Sequence, residues 1–196
     1  MSIKFSLQSL KRNEDDLRKK IVIPMIWALG CKYVKDTQGM NEEGKDTIYL
    51  TYHPLLRKEV YGAIILKSVN VGKTELAKIV QEIKEATSPF PDPRDPNDQI
   101  RTRELMLMTP FDFTKDVKDS IFKQCSNAIP NMHFVNGDEM ERLITGIMSE
   151  HYEKTKILRT FSIDAFLTIC EEIANRKITI PSSTVGLTHE ETELVE

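Results

Sequence analysis

The stretch Val60-Tyr61-Gly62-Ala63-Ile64-Ile65-Leu66 constrains this chain most. A strand with one solvated face alternates polar and apolar residues; a nearly continuous apolar strand must be covered on both faces. The run therefore calls for a central strand with layers on either side. It is too short for a bilayer span, as is Ile21 to Gly30, which suits a buried helix.

The elements around it supply those layers. Asn13-Glu14-Asp15-Asp16 starts a helix: Asn13 caps it and the acids lie at the positive end of the dipole. Leu17, Ile21, Ile23, Met25, Ile26 and Leu29 follow at broadly helical spacing, Gly30 is a stop, and Pro24 predicts a kink or break. Lys32 to Val34 is a weak extended run, Asp36 to Lys45 a polar loop, and Thr47 to Tyr52 a strand ended by Pro54. Thr74 to Ala86 reads as an amphipathic helix with Leu76, Ile79, Val80 and Ile83 on one side. Ser88 to Asn97, with four prolines, reads as a surface loop. A strand over Glu104–Thr109, a helix from Phe113-Thr114 through Asn127, a short strand at Met132–Val135 and a helix from Glu139 to about Tyr152 come next. A last helix is expected from about Leu158 to Asn175, then a polar stretch from Lys177 to Glu196. Strands alternating with helices imply parallel pairing, and the early strands, close in sequence, imply a hairpin. The expected fold class is α/β: a mixed central β-sheet flanked by helices. The expected organisation is a domain over residues 1–152, a helical extension over 153–176 and a tail or linker over 177–196.

With 196 residues, 40% hydrophobic and 29% charged, the chain is of ordinary globular composition. Three cysteines, Cys31, Cys125 and Cys170, make an odd count without CxxC spacing, which argues against zinc and a disulfide framework and for a reducing cytoplasm. Met1 to Leu10 lacks a signal-peptide pattern, and no membrane association is expected. The net charge of −3 gives no overall support for nucleic-acid binding, which then needs a local basic face. Lys11 with Arg12, the run Arg18-Lys19-Lys20, and Arg101 with Arg103 are the candidates; each alone reads more simply as a solvated surface.

Two motifs fail. Gly72-Lys73-Thr74 suggests a phosphate loop, but the glycine required five positions before Gly72 is Lys67, so no nucleotide is expected. His53, His133, His151 and His189 show no i, i+4 pair and support neither a zinc helix nor a histidine-based triad.

A third arrangement remains. Asp46 opens one strand and Lys67 ends the next, so the two can meet at one edge of the sheet if those strands are neighbours. Ile65 shares the face of Lys67. This layout resembles the PD-(D/E)xK nuclease superfamily, in particular its Mrr-like restriction enzymes and defence-system nucleases. Glu14-Asp15-Asp16-Leu17 with Ile21 to Gly30 is similar to the opening helix of these enzymes, where a glutamate can assist the site. Phe134 to Met140 looks like the strand-turn-helix that closes Mrr-like domains. The similarity spans roughly residues 13–152.

The resemblance implies a restriction-endonuclease-like fold and hydrolysis of DNA phosphodiester bonds in a bacterial or phage defence module, with Mg²⁺ or Mn²⁺ as cofactor. Asp46 would ligate the metal, Leu66 would offer its carbonyl, Lys67 would be the catalytic lysine, and Glu14 would assist. The departure is Ile65, which stands where the family has an acid or glutamine and cannot ligate magnesium. Glu14 or Glu82 could supply the missing oxygen. The alternative is a weakened pseudo-nuclease kept as a nucleic-acid-binding or protein-interaction domain. A homodimer, or a partner docked on the last helix through Phe161, Phe166, Leu167 and Ile169, is a further expectation.

Overall fold

The computed structural model describes residues 7, 13–37, 44–53, 55, 57–92, 94–95, 97–125, 131–155 and 162–176. Five strands form the main sheet: β1 (Tyr33–Asp36), β2 (Thr47–His53), β3 (Lys58–Leu66), β6 (Glu104–Met108) and β7 (Asn131–Val135), in the spatial order β1-β2-β3-β6-β7. The first two pairings are antiparallel, the last two parallel. The sheet is thus mixed, as expected, and β3 sits at its centre where the sense of pairing changes.

Burial explains the apolar run. Ile64 and Leu66 face one side, with Tyr49 and Met108, under the first helical stretch, α5 (Gly137–Thr155) and α6 (Ile163–Arg176). Ala63 and Ile65 face the other, with Leu105 and Leu107, under α3 (Lys73–Ala86) and α4 (Lys115–Cys125). Both rows are fully buried, as a strand covered on two faces requires. Gly62 is part of this packing: a Cβ there would lie 2.1 Å from the ring of Tyr49, its partner across the β2–β3 ladder.

The first helical stretch is distorted before Pro24 but not broken there. It runs through α1 (Glu14–Leu17), a π turn (Arg18–Val22) and α2 (Ile23–Ala28) without a break. Pro24 has no N–H and its ring would meet the carbonyl four residues back in a regular α-helix. The wider turn just before it, in which the Ile23 N–H reaches back to the Arg18 carbonyl, accommodates the ring. Asn13 caps the stretch, accepting from the Asp16 N–H at 3.1 Å.

Two further differences concern the second half. The proline-rich segment is not wholly irregular: β4 (Phe90–Pro91) pairs antiparallel with β5 (Gln99–Ile100). This hairpin packs Phe90 on Ile48, Leu50 and Tyr61, and Asp92 accepts a 2.7 Å hydrogen bond from the Tyr61 hydroxyl. The last helix packs inward: Phe166, Ile169, Cys170 and Ile173 are buried in the same core as the first helix. Leu167 is half-buried, and Phe161 lies outside the described residues, as do 177–196. Among the described residues, no helix is long and apolar enough to cross a membrane.

Candidate active site

Because β2 runs antiparallel to β3, the start of β2 lies beside the end of β3, with Thr47 opposite Ile64. Asp46, immediately before β2, therefore meets Leu66 and Lys67. The Asp46 N–H donates to the Ile64 carbonyl at 3.0 Å, and its Oδ2 accepts from the Leu66 N–H at 2.6 Å. From the first helix, Glu14 Oε2 accepts from the Ser68 N–H at 3.1 Å. Two carboxylates from different elements thus grip the backbone on either side of Lys67. The Lys67 N–H itself donates to the Met108 carbonyl at 2.9 Å, anchoring the strand end to β6.

The Lys67 side chain turns to α3, where its ammonium lies 2.9 Å from Glu82 Oε2 and 3.0 Å from Oε1. The bond aligns with Oε1 only, so Oε2 is buried without an aligned donor. Glu82 thus enters the site as the lysine's partner. Its backbone also abuts the segment before Asp46: Gly44 adopts a φ of +72°, and a Cβ on it would sit 2.3 Å from the Glu82 carbonyl oxygen.

The electrostatics follow from this crowding. Burial pushes the Asp46 carboxyl up to about 6; the charges of Glu14 and Glu82 add to that rise, while the Leu66 N–H and Lys67 oppose it. Burial works against the Lys67 charge, but the hydrogen bond and charge of Glu82, with the charges of Asp46 and Glu14, outweigh it and hold the lysine above its usual value. The ammonium contacts Glu82, while Asp46 and Glu14 act on it through their charges.

Glu14, Asp46, Leu66 and Lys67 are therefore brought together. Ile65 is not part of the group: its side chain is fully buried in the core beneath α3 and α4. The basic run departs from its surface reading at Arg18, while Lys19 and Lys20 are exposed as that reading expects. Arg18 is 1% exposed and paired with Asp15 and Asp36, whereas Lys19 and Lys20 pair with Asp15 and Asp16 at i, i+4. Arg101 and Arg103 are exposed but precede β6, whose start pairs with Gly62, so they lie toward the opposite end of the sheet. Lys11 and Arg12 are outside the described residues. The buried His151 pairs with Glu172 at 2.8 Å, joining α5 to α6.

The donor chemistry suits a hard cation. Asp46 and Glu14 each commit one carboxylate oxygen to a backbone N–H and have a second, and Lys67 is engaged by Glu82. Among the described residues, no three or more His, Cys, Asp or Glu side chains are arranged to hold a metal ion. Two carboxylates with the Leu66 carbonyl suit magnesium or manganese, which complete their shell with water and phosphate oxygens, better than zinc.

No known protein family, curated protein or solved structure matches this chain.

Proposed function

We propose that this chain is a metal-dependent phosphodiester hydrolase acting on DNA, with the restriction-endonuclease-like arrangement implied by its resemblance to the PD-(D/E)xK nucleases. The observation that carries the reading is the convergence of Glu14, Asp46 and Lys67, from a helix, a strand start and a strand end, at one end of the central strands. The β2–β3 hairpin accounts for Asp46 beside Lys67, but nothing local brings Glu14 to them.

Asp46 and Glu14 would hold Mg²⁺ or Mn²⁺, with Leu66 offering its carbonyl. The bound cation supplies an activated water and neutralises phosphate charge. Lys67 stays cationic because Glu82 and its neighbours favour the charged form. It therefore serves to stabilise negative charge on the phosphate rather than to take a proton. The two backbone bonds to Leu66 and Ser68 keep both carboxylates in place before substrate arrives.

A second reading is favoured by one observation: Ile65, in the position of the family's second acid, is committed to the core. On that reading the domain is a weakened nuclease retained for nucleic-acid or protein interaction.

Nicking of supercoiled plasmid with Mg²⁺ or Mn²⁺ separates the two. The hydrolase reading expects nicking by the wild type, reduced about 100-fold or more in Asp46→Asn and Lys67→Met. A clean wild type that neither nicks nor binds Mn²⁺ sinks the hydrolase and leaves the interaction domain.

A further inference from the structure

Arg18 has no part in the site as described, yet it is among the largest fully buried side chains of the fold. It opens the π turn one helical turn after Glu14. Its Nε lies 3.1 Å from Asp36 Oδ1 at the end of β1, as an ion pair without hydrogen-bond alignment. Its Nη2 donates to Asp15, and its Nη1 is buried with no hydrogen-bond partner among the described residues. A guanidinium buried with two nitrogens lacking aligned acceptors is costly.

The arrangement around Asp36 explains what that cost secures. Asp36 pairs with Thr47 across the β1–β2 ladder. The next residue, Thr37, holds the peptides on both sides of Asp46: its N–H donates to the Asp46 carbonyl at 3.1 Å and its hydroxyl donates to the Lys45 carbonyl. One path therefore runs from Glu14 along the helix to Arg18, across to Asp36, and through Thr37 to the Asp46 backbone. It connects the two carboxylates without passing through β3.

We infer that Arg18 is a positioning residue: it fixes the helix that carries Glu14 against the strand end that grips Asp46, and so sets the separation of the two metal-binding carboxylates. This rests on the metal-dependent reading of the site. Groups that orient metal ligands without touching the metal are typically worth about 10–100-fold in metal affinity.

The test is Mn²⁺ binding by the full chain, read by titration calorimetry and by the metal-induced rise in Tm, with plasmid nicking alongside. Arg18→Met and Asp36→Ala should each weaken Mn²⁺ binding by about tenfold or more, and Arg18→Lys should recover part of the loss. The double variant, Arg18→Met with Asp36→Ala, removes the buried charge and its partner together. It should regain thermal stability lost by the single variants without regaining Mn²⁺ affinity. Should Arg18→Met not fold, Asp36→Ala and Arg18→Lys carry the same expectation. Wild-type affinity in the single variants, or affinity restored together with stability in the double variant, overturns the positioning role. Wild type that binds Mn²⁺ but does not nick sinks the hydrolase alone, since the affinity of the variants still decides Arg18. Wild type that binds no Mn²⁺ overturns both.

Discussion

Asp46 is the residue whose ionisation the fold resists, because burial beside Glu14 and Glu82 favours its neutral form. Its carboxyl is raised from 3.8 to about 6, so the folded chain holds this proton more tightly than the unfolded chain does. The sign follows: below the unfolded value Asp46 costs nothing, and the cost grows as pH rises through the folded value. At neutral pH and above it amounts to ~3 kcal/mol by the usual conversion. Asp46→Asn keeps an acceptor for the Leu66 N–H and removes the charge. Urea unfolding should find this variant more stable than the wild type by ~1–3 kcal/mol at pH 8, with the difference shrinking to ~0.5 kcal/mol near pH 4. A stability difference that does not change with pH would show that burial of the charge is not what raises this group. Added Mn²⁺ should stabilise the wild type at pH 8 and not Asp46→Asn, because binding to the folded state alone shifts the equilibrium. Asp46 and Lys67 are readable together in the sequence because strand order alone places a strand start beside the next strand's end, whereas Glu14 is implied only by the family resemblance. The burial of Arg18 was masked by the two lysines after it. A signal was present, since Arg18 stands four residues before Val22 and three before Ile21, on the helix's apolar side. That Glu82 pairs with Lys67 depends on how α3 lies over the sheet, which no local pattern states.

Among the elements, α3 and the segment before β2 meet in backbone contact at Gly44. Its φ of +72° and the 2.3 Å approach of a would-be Cβ to the Glu82 carbonyl exclude any side chain there. Gly44→Ala should cost ~2 kcal/mol or more, from backbone strain and from pushing α3 away. Because Asp46 is two residues on and Glu82 holds Lys67, the same substitution should also weaken Mn²⁺ binding. Unfolding and metal titration of one variant check both effects; unchanged stability would show that the segment moves aside freely. The central strands β3 and β6 could be read from their apolar runs, since burial on both faces leaves few polar positions to blur them, whereas β1 and β7 at the sheet edges keep exposed residues. The π turn could not, because Pro24 states only that a regular helix is disfavoured. Packing of Leu17, Ile21 and Val22 into the core decides that the helix widens instead of breaking. The β4–β5 hairpin is hidden by its prolines, and it forms because Phe90 and Tyr61 pack edge-on at 6.2 Å over the otherwise open part of β2 and β3.

At the scale of the whole molecule, α6 decides how much chain the site needs. The family resemblance ends near residue 152, and an amphipathic last helix alone reads equally well as an extension offered to a partner. The structure spends that apolar face internally. Phe166, Ile169, Cys170 and Ile173 cover the first helix, and that helix carries Glu14 and Arg18. Removing α6 would uncover Met25, Ile26 and Ala28, which are at most 1% exposed. Burial of Phe166, Ile169 and Ile173 contributes ~5–9 kcal/mol, about as much as the net stability of an ordinary domain. A chain ended after Thr155 should therefore lose cooperative unfolding and Mn²⁺ binding together. The same chain with α6 retained through Arg176 should keep a sharp transition. Circular dichroism melts of the two, with Mn²⁺ titration of each, make the comparison. If the shorter chain still melts sharply and binds metal, α6 is dispensable to the site. In that case its buried face would be a surface the rest of the fold can do without, which is the property expected of a helix free to serve a partner.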